Sequence, residues 1–200
     1  MDLLEIILLS VVQGITEFLP VSSSAHLRAA SELLGINGST LGFDVAVHVG
    51  TLGAVVVYFR NDLSLIATGT AKFVKGTRTE EGFLGINLII ATLPVYLAGF
   101  FLRDYIESDL RLIEVIGWTS IVFGILLWWA DRYCMTILTL KHLNYQKAFI
   151  IGIFQIFALI PGSSRAGVTI TAARILGYER IESARFSMLL SIPAIAGAGT

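Results

Sequence analysis

Gln13 and Glu17 stand four residues apart, so in a helix their side chains share one face and reach one ligand. A carboxylate beside an amide, close before a run of hydroxyls, suits a divalent cation or a general base held near a nucleophile. The plainer reading is a hydrogen-bonded pair between helices. The hydroxyls are Ser22, Ser23 and Ser24, just past Pro20, where one apolar run ends and a second helix is predicted to begin. Free backbone N–H groups at such a start point into the same space and bind phosphate. A serine there attacks phosphorus if a base takes its proton, while N-capping claims one of the three, Ser22 or Ser24. His26 follows as general acid to a leaving oxygen, rival nucleophile or structural donor. His48, inside the apolar run Phe43–Phe59, has no such neighbours in sequence and reads as packing or as a residue behind the site.

An imperfect copy of Phe18–His26 occurs at Leu159–Gly167, where Ser163 and Ser164 again follow a proline, Pro161. This copy adds Arg165, which costs about 2.5–3.5 kcal/mol at the centre of a membrane helix on insertion scales. Its planar fork matches phosphate oxygens, and Ser163, Ser164 and Thr169 offer further donors around the same anion. A buried ion pair with Glu17 is the alternative. Arg28 and Arg174 read as snorkelling to the surface. The chain has no Walker loop, HExxH or GxSxG elbow, and His26, His48 and His142 are too scattered for a zinc triad. The type-2 phosphatidate phosphatase pattern needs a histidine six residues after the arginine, where Thr171 stands.

These polar residues sit in a chain of 200 residues that is 55% hydrophobic and 14% charged, with a mean hydropathy of +0.78. That composition indicates an all-α, polytopic helical membrane protein folded as a single domain. A formal net charge of −1 argues against nucleic acid, since a duplex binder needs a basic face. The single Cys134 excludes an internal disulfide and reads as packing. No basic n-region or cleavage site marks the N-terminus, so residue 1 reads as the mature start. The apolar segment from Ser187 ends at Thr200 without a polar flank, which reads as a shortened chain.

Three stretches, Phe43–Phe59, Leu84–Leu102 and Ile113–Ala130, have the length and apolarity to cross a bilayer, and a fourth begins near Phe186. Leu3–Leu19 and Lys147–Ile160 are short, and each meets a proline and a brief second helix, Ala25–Leu34 or Ala166–Leu176. Both units are predicted to be re-entrant hairpins, with a full crossing by Leu3–Leu19 as the alternative. The re-entrant topology collects Arg60, Lys72, Lys75, Arg78, Arg132, Lys141, Lys147, Arg180 and Arg185 on one face. Only Arg103 and Arg111 remain on the other. The positive-inside rule then puts the N-terminus and an Asp104/Glu107/Asp109 loop outside, with Trp128, Trp129 and Tyr133 as an inner aromatic belt. The halves match at an offset of 141 to 143 residues, giving inverted repeats at about 1–130 and 145–200. Their tips, Ser22–His26 and Ser163–Gly167, are expected to meet near the midplane.

The stretches Gln13–His26 and Pro161–Thr169 together resemble the bacterial undecaprenyl-diphosphate phosphatase family, also called bacitracin-resistance proteins, and the likeness runs over the whole chain. That family has an acidic or amide residue four positions before a glutamate, which Gln13 and Glu17 match in the amide form. Its serine motif falls on Ser22–Ser24, its histidine on His26, and its PGxSRSG motif on Pro161–Gly167, with Ala166 in place of a common serine. The resemblance implies hydrolysis of a polyprenyl diphosphate carrier lipid to its monophosphate on the outer face of the bacterial inner membrane, recycling it for cell-wall synthesis. A divalent cation, Mg2+ or Ca2+, is implied as cofactor, with Gln13 and Glu17 as ligands. Catalysis is expected from Glu17, Ser23, His26 and Arg165, with Ser22, Ser24, Ser163, Ser164 and Thr169 around the phosphates. The chain carries no sign for or against a homodimer. A carrier-lipid flippase or small anion transporter is the alternative, because inverted repeats with broken helices are a transporter architecture.

Overall fold

Apolar runs interrupted by Pro, Gly and Ser dictate helices that start, stop and restart inside the molecule. The computed structural model describes residues 1–36, 41–109 and 112–198, the side chains at 41, 103–109 and 198 excepted. Its helices are α1 (Leu3–Thr16), α2 (Ser23–Leu34), α3 (Leu41–Tyr58), α4 (Arg60–Val74), α5 (Glu80–Asp109), α6 (Ile113–Tyr133), α7 (Tyr145–Gln155), α8 (Arg165–Ile175) and α9 (Arg180–Ala198). Among the described residues there is no named strand, only an isolated bridge between Leu138 and Tyr178.

Helices α5 and α6 are long and apolar enough to cross a membrane, over Glu80–Leu102 and Ile113–Tyr133. They turn Leu97, Phe100, Phe101, Trp118, Val122 and Ile125 outward. Apolar surface of that extent belongs against lipid. The expected stretch Phe43–Phe59 is helical as α3. Helix α3 ends at Tyr58 and the chain turns 79° into α4, an element the sequence reading did not anticipate. Residues 103–109 were expected to be a loop. They continue helix α5 to Asp109, because no Gly or Pro interrupts them. The side chains of Arg103, Asp104, Glu107, Asp109 and Arg111 lie outside the described residues.

The basic residues at one end of the molecule are tied together by ion pairs between elements. Lys141 lies 3.7 Å from Glu80, Arg180 lies 2.8 Å from Asp131, and Arg185 pairs with Asp62. Trp128, Trp129 and Tyr133 are exposed at the same end of α6. Arg174 does not snorkel. It is only 4% exposed, 3.1 Å from Asp131, and it donates to the carbonyl of Tyr178. A charge inside the helix cluster needs such partners. Arg28 is exposed and pairs with Glu32.

Helices α1 and α7 have 14 and 11 residues, and α7 runs on into a 3-10 turn at Ile156–Leu159; at about 21 and 25 Å both arms are too short for a hydrocarbon core of about 30 Å. Each is followed by a break and a helix that packs back on it, α2 on α1 and α8 on α7. The two breaks have nearly the same backbone. Ser22 (φ 59, ψ 95) and Ser164 (φ 58, ψ 112) are the only non-glycine residues with positive φ among those described. Each caps its helix, Ser22 accepting from the Ala25 N–H and Ser164 from the Gly167 N–H. Such conformations cost about 1–3 kcal/mol each and persist where the surroundings over-determine them.

The buried centre lies under α9, whose Phe186, Leu189 and Leu190 are at most 1% exposed, together with Ile151, Ala172, Ala173 and Tyr178. Polar side chains are buried there too. Thr169 of α8 and Ser187 of α9 share a 2.7 Å hydroxyl bond.

Candidate active site where the helix breaks meet

Glu17 is the residue on which the others converge. It forms the C-cap of α1 with helical backbone, which keeps it one turn beyond Gln13 and on the same face. It is 8% exposed, yet its carboxylate is well supplied with donors. Gln13 Nε2 and Ser23 Oγ each donate to Oε2 at 2.8 Å, and Arg165 NH2 donates to Oε1 at 3.1 Å. The ion pair of Glu17 and Arg165, the alternative to an anion site at Arg165, thus forms across the two breaks. Ser164 Oγ donates to the Leu19 carbonyl at 3.5 Å, and a Cβ on Gly167 would lie 3.7 Å from Pro20.

Two buried polar atoms at this site have no protein partner, Gln13 Oε1 and Arg165 NH1. Leaving either unpaired costs about 1–3 kcal/mol, more for the charged group. The carbonyl oxygen calls for a donor or a cation, and the guanidinium nitrogen for an acceptor. An arginine that spends one nitrogen on a carboxylate and holds another bare is placed to take an anion beside it.

The serines divide their roles. Ser22 is 3% exposed and serves as the N-cap, so its oxygen is directed at the Ala25 N–H. Ser24 lies 3.2 Å from Ser22 through the hydroxyls and is exposed. Ser23, in the first turn of α2, is the hydroxyl that meets a base. His26 places Nδ1 2.9 Å from the Ser22 carbonyl. A carbonyl only accepts, so Nδ1 carries the proton and Nε2 is left to a ligand.

In the second break the expected phosphate donors are arranged otherwise. Ser163 Oγ donates to the carbonyls of Phe157 and Ile160, and Thr169 Oγ1 to those of Arg165 and Ala166. Those hydroxyl protons hold the turn and α8 rather than pointing at Glu17. Ser164 caps α8. Arg165 alone of the second motif reaches the carboxylate.

Three residues gain a role that the linear sequence concealed. Thr119 and Ser120 of α6 donate to the carbonyls of Pro161 and Gly162, at 2.6 and 3.0 Å, and so pin the second break. The only sequence signal was a hydroxyl pair inside an apolar span. His48 of α3 was read as packing or as lying behind the site, and its Nε2 lies 3.6 Å from Glu17 Oε2. Asp44, His48 and Thr51 form an i, i+4, i+7 polar stripe on an apolar helix, the pattern that could have found it.

Gly162 has φ +95, and a Cβ there would come within 2.9 Å of Ile116 Cα and closer still to the Thr119 hydroxyl. Gly162→Ala is therefore expected to destabilise the fold by about 1–3 kcal/mol. Thermal unfolding in detergent measures this, and an unchanged midpoint would mean the break is not held by α6.

Among the described residues, no group of three or more His, Cys, Asp and Glu side chains could hold a metal ion. A cation here would need amide or substrate oxygens beside Glu17. The donors fit that requirement, because Gln13 Oε1 is an unpartnered buried carbonyl oxygen. Glu17 also receives three hydrogen bonds where a carboxylate offers about four lone-pair directions.

Comparison with known proteins identifies the family of the chain. The family model described as bacitracin resistance protein BacA matches residues 6–200. A protein named undecaprenyl-diphosphatase from Teredinibacter turnerae is 53% identical over 200 residues, covering 100% of this chain and 76% of the relative. A second of that name, from Saccharophagus degradans, is 48% identical over 199 residues, covering 100% and 75%. A multi-pass helical molecule with two serine-capped breaks meeting at Glu17 and Arg165 thus carries the family's sequence over nearly its whole length, and the chain belongs to the bacitracin resistance protein BacA family.

Proposed function

We propose that this protein is an undecaprenyl-diphosphate phosphatase. It removes the terminal phosphate of the polyprenyl diphosphate carrier lipid at the outer face of the bacterial inner membrane and so recycles the carrier for cell-wall synthesis. The observation that carries the reading is the 2.8 Å bond from Ser23 Oγ to Glu17 Oε2, beside an Arg165 guanidinium with one buried nitrogen unpaired. The names of the two relatives support the substrate class.

In this mechanism the diphosphate enters with its oxygens on Arg165 NH1 and on the free N–H groups that open α2, where the helix dipole also favours an anion. Glu17 accepts the Ser23 proton as Oγ attacks the terminal phosphorus, and the bond from that phosphorus to the bridging oxygen breaks. His26 keeps Nδ1–H on the Ser22 carbonyl and turns Nε2 to the departing lipid monophosphate, to which the acid form of the ring gives a proton. Water then cleaves the phosphoserine, with Nε2 taking its proton, and Ser23 recovers its own from Glu17. Gln13 and Glu17 would hold a divalent cation, Mg2+ or Ca2+, which supplies positive charge against the phosphate oxygens. His26 as nucleophile is the alternative within this class, but it is Ser23 that contacts the base.

Phosphate release from farnesyl diphosphate by the purified protein in detergent, with and without EDTA, tests the proposal. Release that EDTA stops is expected. Because transport needs a sealed membrane and hydrolysis does not, a folded protein that releases no phosphate in detergent would favour the flippase or anion-transporter reading.

A further inference from the structure

We infer that His48 is a nitrogen ligand of the divalent-cation site and completes a set of three with Gln13 and Glu17; this rests on the cation reading above. The ring's tautomer follows from its hydrogen bond. His48 Nδ1 lies 2.7 Å from the carbonyl oxygen of Asp44, one turn back on α3, and a carbonyl only accepts, so Nδ1 carries the proton. In the neutral ring Nε2 then presents a bare lone pair. It faces Glu17 Oε2 at 3.6 Å.

That separation is too long for a hydrogen bond. Oε2 also already accepts from Gln13 and Ser23, both at 2.8 Å, so a cation on that oxygen takes the place of the Gln13 N–H. Nε2 and the carboxylate thus face each other across a gap that a cation can bridge. A divalent ion with bonds of about 2.1–2.4 Å to both atoms would subtend about 100–120° at 3.6 Å, within the range of ordinary coordination. Gln13 Oε1, fully buried and without a partner, is a second and independent sign of a missing electrophile here. The bond from Nδ1–H to a backbone carbonyl is the support that metal-binding histidines use to fix ring and tautomer. Thr51, 6% exposed, donates to the His48 carbonyl at 2.9 Å within the same turn of α3. Imidazole among oxygen ligands favours Mn2+ over Mg2+ or Ca2+.

The test uses Mn2+ as probe on the purified protein in detergent, read by pulsed electron paramagnetic resonance with and without 15N-histidine labelling. Histidine nitrogen modulation on bound Mn2+ is expected in the unsubstituted protein and in His26→Gln. It is expected to vanish in His48→Gln, with Mn2+ binding weakened about tenfold or more. Bound Mn2+ without histidine coupling in the unsubstituted protein would overturn the assignment, whether or not any variant folds. Coupling that survives His48→Gln, or is lost in His26→Gln instead, would overturn it as well. Failure to bind Mn2+ at all overturns it too, and EDTA-resistant phosphate release in that case would leave the hydrolase reading standing.

Discussion

Ser23→Ala is expected to lower kcat for phosphate release from farnesyl diphosphate by about a thousandfold or more, with little change in KM. The hydroxyl lost is the one whose proton Glu17 accepts, so the effect falls on bond making rather than on binding. The neighbouring substitution gives the scale for a structural effect. Ser22→Ala removes the oxygen that caps α2, worth about 1 kcal/mol, and leaves the Ser22 carbonyl under His26 intact. Its turnover should stay within about tenfold of the unsubstituted protein, since 1.4 kcal/mol corresponds to a factor of ten. Steady-state rates of both variants in the same detergent decide the matter. Equal losses would show that the serine run acts as a phosphate cradle and that the nucleophile lies elsewhere, with His26 next in order. Trapping radiolabelled phosphate on the acid-quenched protein gives a separate readout, because a phosphoserine survives acid and a phosphohistidine does not.

Arg165→Ala should reduce kcat/KM by about three orders of magnitude and also destabilise the protein. Two things are lost together, the cation that pairs with Glu17 Oε1 and the nitrogen held ready for an anion. Removing one partner of a buried pair leaves the other charge uncompensated, at a cost of about 3–5 kcal/mol. The side chains concerned are 15% and 7% exposed, so water compensates little of that. Folding and chemistry are separable by pairing Glu17→Gln with Arg165→Met. That double variant should regain most of the thermal stability while staying inactive. Arg165→Lys keeps the charge but not the fork, and a point charge cannot bond Glu17 and a phosphate at once in the same geometry. It should recover less than a tenth of the activity. Full activity in Arg165→Lys would mean that only the charge matters and that the unpaired NH1 has no role in holding the substrate.

Composition alone pointed to a helical membrane protein, because a mean hydropathy of +0.78 is far outside the range of soluble domains. Local chemistry determined where the helices break. Pro20 and Pro161 each precede a serine-rich stretch that restarts a helix, and caps are decided by residues within a turn of one another. The sequence also showed that Glu17 and Arg165 were too costly in lipid to be idle. Their pairing across 148 residues is one of the two outcomes that cost allows, the other being a phosphate on Arg165.

What it could not show depended on which helix faces which. The stripe of Asp44, His48 and Thr51 marks a polar face on α3, but only the packing of α3 on α1 brings the His48 ring to Glu17. The pinning of Pro161 and Gly162 by Thr119 and Ser120 likewise joins positions 42 residues apart. The positive φ of Ser22 and Ser164 has no local signature either, because serine does not favour it. The bend at Phe59 and the burial of Arg174 on Asp131 belong to the same class. Spacing within a helix is fixed by 3.6 residues per turn and is therefore written in the sequence. The approach of one helix to another depends on the fit of whole surfaces, and here that fit decided which of several candidate polar groups stand around one carboxylate.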